Sequence, residues 1–252
     1  MVEKKKDLEK KEPTLPTRVS GKDGTALGFE NMDMETDIQM PRVAILQGLS
    51  EMVQEKKAES GKIVNAITKE IYGDELIFIP LFLFKSRCKF ELGTGLVCSS
   101  RDALTCSFNS DGEHEIGDDC LSCEDAKWPE RGKMEDTELG GPACSMVYNY
   151  PVLNCTNIHQ FPVSISLMRT ATKGARKLNS LLRYTGEDFF STKVKMTTQM
   201  QKGSKGIYYV PVFEIAGRAS DEEYTIAKSA FKLLRGKVIE VKMEEEAPNF
   251  SE

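Results

Sequence analysis

Between Cys98 and Cys144 the chain loses the means to fold by burial alone. The stretch is rich in Gly, Asp, Glu, Ser and Pro and has few long apolar runs, too little apolar surface to offset the entropy of ordering it. What it does contain is cysteine. Cys120-Leu-Ser-Cys123 is a Cys-x-x-Cys pair, a span that lets two thiolates bind one tetrahedral ion, and Cys98 and Cys144 flank the pair almost symmetrically. Four thiolates suit a closed zinc site. Zinc binding of about 10 kcal/mol or more in small modules would supply the missing stability. The predicted ligands are Cys98, Cys120, Cys123 and Cys144, with Cys106 or His114 able to replace Cys98. Cys88 and Cys155 read as strand residues. The competing readings are a flexible acidic insertion with incidental cysteines, or a redox pair.

At 252 residues the chain can hold one substantial core with an insertion, or two small domains. It has no run of eighteen apolar residues and starts with charges, so neither a membrane span nor a signal peptide is expected. Seven cysteines, an odd number, fit reduced thiols with some on metal, in a soluble cytoplasmic protein. The net charge of -5 disfavours nucleic acid at first sight, but its distribution matters more than its sum. Residues 102–138 and the C-terminal end are acidic. From Arg169 to Lys205 the chain is basic, with only Glu187 and Asp188 opposing.

Residues 1–40, with Lys4-Lys5-Lys6, Pro13 and Pro16 and no apolar periodicity, read as a disordered arm. Alternation predicts a strand at Val43 and Ile45, then a polar loop or short helix to Lys57. A hairpin is expected from Ile63 through a turn at Tyr72-Gly73-Asp74 into the run Leu76 to Phe84, whose Pro80 implies an edge position or a bulge. Lys85, Arg87 and Lys89 then share one strand face, where a phosphate could lie. Met146–Leu153 and Pro162–Met168 read as strands. Thr170 or Thr172 opens a helix to about Tyr184, stopped by Gly186, with Ala175, Leu178, Leu181 and Leu182 opposite Lys173, Arg176, Lys177, Ser180 and Arg183. Two strands joined near Gly203 follow, the first carrying Lys193 and Lys195 and the second Tyr208 and Tyr209. Ser220 and Glu223 form a capping box for a last helix to Gly236. A short strand is expected at Val238–Met243, before a tail with Glu244, Glu245, Glu246 and Phe250.

Enzyme motifs are missing: there is no phosphate loop, no nucleophile elbow and no His-Glu-x-x-His helix. A non-enzymatic binding protein is expected. Single-strand binders need cations that follow a backbone and aromatic faces for bases. Lys85, Arg87, Arg169, Lys173, Arg176, Lys177, Arg183, Tyr184, Lys193, Lys195, Tyr208 and Tyr209 are the candidates.

The run Ile79 to Arg87, the cysteines 98, 120, 123 and 144, and the segment Arg169 to Leu178 together resemble bacteriophage single-stranded DNA-binding proteins. That resemblance implies an oligonucleotide-binding barrel with a zinc insert, and an acidic C-terminal tail that recruits replication or recombination partners. The tail candidates are Glu244, Glu245, Glu246 and Phe250. One departure is that the T-even phage protein uses a histidine with three closely spaced cysteines. The expected architecture is α+β: a partly open antiparallel barrel of the oligonucleotide-binding type over residues 41–243, with a zinc insertion at 98–144, flanking helices and a tail at 244–252. The expected function is sequence-independent binding of single-stranded DNA in phage replication or recombination, within a host cytoplasm. The rival is a zinc-bearing adaptor for a polymerase or another replication or transcription protein, and a metal-dependent nuclease is third.

Overall fold

The computed structural model describes residues 28, 31, 37–91, 93–110, 112–128, 141–203 and 206–236. The chain divides into units 1–38 and 39–252, and the fold is that of the second. Its strands are β1 (Arg42–Ile45), β2 (Ile63–Asn65), β3 (Ile71–Gly73), β4 (Glu75–Pro80), β5 (Phe84–Glu91), β6 (Gly95–Ser100), β7 (Phe108–Asn109), β8 (Cys144–Asn154), β9 (Val163–Leu167), β10 (Thr192–Gly203) and β11 (Gly206–Arg218). The helices are α1 (Glu51–Gln54), α2 (Thr172–Thr185) and α3 (Asp221–Leu234).

All eleven strands belong to one sheet, ordered β11-β10-β4-β8-β9-β1-β2-β3, with β5, β6 and β7 branching from β8. The β1–β9 pair is parallel and the other ladders are antiparallel, so the sheet is mixed. This overturns the expected barrel. Among the described residues no ladder joins β11 to β3, and a sheet with two free ends is not closed. The α+β class stands, but the oligonucleotide-binding barrel does not, and the likeness to phage single-stranded DNA-binding proteins that implied it falls with it.

Pairing is where the sequence reading departs most. β2 turns back into β3, whereas β4 lies between β10 and β8 at the centre of the sheet. Pro80 is the last residue of β4, and after residues 81–83 the chain resumes as β5 on the same partner, β8. A proline ends the ladder because it has no N–H to donate. Leu81 restores the contact, donating to the Pro151 carbonyl at 2.8 Å.

Alternation assigns the faces. Leu76, Phe78, Tyr150, Val152, Val194, Met196 and Phe213 form one core with Ala175, Leu178 and Leu182 of α2. Phe78 and Phe213 meet edge to face at 6.4 Å. Gly174 lets the helix close on β11, since a Cβ there would lie 3.3 Å from the Pro211 carbonyl and 3.4 Å from Phe213. The helix stops at Gly186, whose φ of 68° is open to glycine. Lys193 and Lys195 alternate with Val194 and Met196, so they point to the opposite face. There Lys193 pairs with Glu223 of α3, and Phe190 packs on Tyr224 and Phe231 at 5.2 Å each. The predicted capping box is present: Ser220 Oγ accepts from the Glu223 N–H at 3.2 Å, and Glu223 accepts from the Ser220 N–H at 2.7 Å. The strand expected at Val238–Met243 and the arm at 1–40, apart from residues 28, 31 and 37–40, lie outside the described residues.

Candidate functional site

Two regions carry chemistry: a cysteine lobe built on β5, β6 and β8, and the outer face of α2. The lobe is shaped by polar turns. Asp102 accepts from the N–H groups of Leu104 and Thr105 at 2.8 Å each and from the hydroxyls of Ser100 and Thr105 at 3.0 Å each. These bonds, the Thr105 N–H foremost, hold its carboxyl down at about 2. Asp119 repeats the device around the Cys-x-x-Cys pair, accepting from the N–H groups of Leu121 and Ser122 at 2.9 and 3.2 Å. Backbone bonds from Cys106 to Asp118 and from Cys120 to Leu104, both 2.8 Å, close the loop over the sheet.

The product is a cavity of about 260 Å³ lined by Cys98, Cys106, His114, Cys120, Cys123, Asp125 and Cys144, among others. All four predicted ligands reach it, and so do both named alternatives. Cys98 and Cys106 Sγ are 3.8 Å apart. Cys123 Sγ is 3.6 Å from His114 Nε2, which is 3.4 Å from Asp125 Oδ2. His114, Cys123 and Asp125 form a group that can hold a metal ion. Metal–sulfur bonds of about 2.3 Å and metal–nitrogen bonds of about 2.0–2.1 Å give tetrahedral edges of about 3.8 Å between sulfurs and about 3.5–3.6 Å from sulfur to nitrogen. Both observed separations match. Burial pushes the Cys144 thiol up to about 12 and raises Cys120 as well; a bound cation would reverse that preference and favour thiolates.

Two of the three cations predicted on the β5 face, Arg87 and Lys89, serve this lobe. Lys85 is exposed and lies 5.6 Å from the centroid of the Tyr148 ring. Arg87 donates from Nε to the Ala103 carbonyl at 3.2 Å. Lys89 is only 7% exposed and places Nζ 2.8 Å from both Glu113 and Asp125. Burial works to raise the Asp125 carboxyl, but hydrogen bonds from Lys89 and His114 prevail and hold it below the usual range. Asp125 had no sequence signal, being one acid in an acid-rich loop.

On α2 the cations point outward. Lys173, Arg176, Lys177 and Arg183 are exposed, the helix contains no acid, and among the described residues none of the four has a carboxylate within 4 Å. Tyr184 beside them is 93% exposed. Like charges at three- and four-residue spacing destabilise a helix by about 0.2–0.5 kcal/mol per pair. Leu178, fully buried, and the Tyr150 hydroxyl, which donates to Asn179 Oδ1 at 2.9 Å, hold α2 in place regardless.

The other candidates are dispersed. Arg169, exposed, donates to the Ser145 hydroxyl at 3.4 Å. Lys193 and Lys195 are paired with Glu223 and Glu214 at 3.1 Å each. Tyr208, half-buried, bonds Gln201 at 3.1 Å. Tyr209 packs its ring over Gly61, and its backbone N–H and carbonyl bond the Gln47 side chain. Glu244, Glu245, Glu246 and Phe250 lie outside the described residues.

No curated protein and no solved structure matches the chain. A family model described as Pam3 phage gp34-like protein matches residues 8–240. The match spans the whole described sheet, the cysteine lobe and all three helices, and the chain belongs to the Pam3 phage gp34-like protein family.

Proposed function

We propose that the protein binds single-stranded DNA without sequence preference, through α2. The observation that carries this is the acid-free helix face with four outward cations and a 93% exposed tyrosine. Cations neutralise successive phosphates, and a solvent-facing aromatic ring stacks on any base, contributing about 1–3 kcal/mol per stack. Nothing in that chemistry reads sequence, which suits a coating role in replication or recombination. The reading stands on this surface and needs no barrel.

The cysteine lobe, in the same proposal, is a zinc-stabilised structural element. Its soft thiolates and imidazole at tetrahedral edge distances favour zinc over harder divalent ions, which prefer oxygen. The test of binding is fluorescence anisotropy with a labelled oligo-dT strand and a duplex of equal length, for wild type and for Lys173→Ala/Arg176→Ala/Lys177→Ala. The strand should bind more tightly than the duplex, and the triple variant should lose at least tenfold. Equal affinity of variant and wild type would remove α2 from the site.

A further inference from the structure

We propose that the ion of the lobe sits on His114, Cys123 and Asp125 and keeps its fourth coordination position open to water or a small anion, an inference that rests on the zinc reading above. Cysteine spacing favours four thiolates, but the donor atoms that meet are these three, all within 4.8 Å of one another. His114 Nε2 is 3.6 Å from Cys123 Sγ and 3.4 Å from Asp125 Oδ2. Metal–nitrogen bonds of about 2.0–2.1 Å and metal–oxygen bonds of about 2.0–2.2 Å give a nitrogen-to-oxygen tetrahedral edge of about 3.3–3.5 Å, so one ion spans both separations. A fourth protein donor on that tetrahedron would stand about 3.3–3.8 Å from each of the three. Among the described residues no other histidine, cysteine or acid joins the group. Cys98 and Cys106, with Sγ atoms 3.8 Å apart, are a pair outside it.

Local structure gathers the three donors. Cys123 is the extended residue before the short 3-10 turn Glu124–Ala126, and Asp125 lies inside that turn. His114 follows β7, where the Asn109 side-chain amide donates to the His114 carbonyl. The buried Lys89 places Nζ 2.8 Å from Asp125 Oδ2, the kind of hydrogen-bonded support that ligating carboxylates take from a neighbour. Charges balance too: one thiolate and one carboxylate match a divalent ion, while Glu113, 2.8 Å from Lys89 Nζ, matches the ammonium. The open position follows from placement. All three residues are half-buried and line the cavity of about 260 Å³, ample for a water whose share of liquid volume is about 30 Å³. Structural zinc sites close with four protein ligands, whereas three ligands on a cavity wall leave the fourth position to an exogenous donor.

The test has three parts on full-length protein purified without chelator: zinc per chain by mass spectrometry, X-ray absorption at the zinc edge, and an azide titration of the cobalt-substituted protein followed in the visible spectrum. The expected result is one zinc per chain, with one sulfur at about 2.3 Å and three nitrogen or oxygen neighbours at about 2.0–2.2 Å, and a saturable spectral change with azide. Cys123→Ser and His114→Ala should each lose the zinc on dialysis against a weak chelator, whereas Cys98→Ser/Cys106→Ser should keep it with the same one-sulfur shell. Two or more sulfurs per zinc, or a spectrum that azide leaves unchanged, overturns the open three-donor site and leaves the zinc reading standing. A chain with no zinc overturns both. The wild-type absorption and azide titration decide the matter even where a variant fails to fold.

Discussion

β5 and α2 each present a row of cations, and the structure uses the two rows in opposite ways. On β5, Arg87 and Lys89 turn toward the cysteine lobe and are consumed by Ala103, Glu113 and Asp125. On α2, Lys173, Arg176, Lys177 and Arg183 face solvent with no acid on their own helix. Alternation in the sequence cannot tell these cases apart, because it says which face a cation takes and not what covers that face. What covers β5 is the lobe itself. A cationic row is thus a ligand surface only where no later segment of the chain has claimed it.

The largest effect should come from Lys89→Met, which strands two carboxylates against a buried position. Breaking a fully buried pair costs about 3–5 kcal/mol; Glu113 and Asp125 side chains are 60% and 26% exposed, so about 2–3 kcal/mol is expected in urea unfolding, with single-strand affinity unchanged. The α2 triple variant should do the reverse. Unfolding should shift by no more than about 0.5 kcal/mol, while affinity at low salt falls about ten- to a hundredfold, or about 1.4–2.8 kcal/mol. Tyr184→Ala should cost about 1 kcal/mol of binding if one base stacks there, read by the same anisotropy titration.

The smallest effect concerns pH. Asp102 has its folded carboxyl at about 2, below an unfolded value of about 3.9. Its contribution is therefore present above about pH 4 and is lost as pH falls toward 2. With the side chain largely solvent-exposed, the worth is discounted to about 1 kcal/mol. Asp102→Asn should lower lobe stability by that amount at pH 7 and flatten the acid limb between about pH 4 and 2, measured by hydrogen exchange of Leu104 and Thr105.

Local elements were legible in the sequence because local physics makes them. The 3.6-residue stripe with Gly186 marks α2, and Ser220 with Glu223 marks the start of α3. Period-two runs mark β8 to β11. Strand partners were not legible: the run Leu76 to Pro80 has the same alternation whether it pairs with β2 or, as it does, with β10 and β8. For the same reason an open sheet reads like a barrel. The cysteines announced the lobe through spacing, but the placement of Cys98 and Cys144 on either side of Lys89 depends on register, which spacing does not encode. Lys193 and Lys195 looked continuous with α2 in sequence, yet they lie across the sheet, paired with acids.

The most direct test of the α2 claim is the dependence of single-strand affinity on salt, plotted as log K against log salt from about 50 to 200 mM. Each phosphate neutralised on a single strand adds about -0.7 to the slope. Lys173→Ala/Arg176→Ala/Lys177→Ala should flatten the slope by about 2, whereas Lys193→Ala/Lys195→Ala, whose cations are already paired, should leave it within about 0.7 of wild type. A triple variant with the wild-type slope, or a β10 variant that flattens it as much, would contradict the assignment of the site to α2.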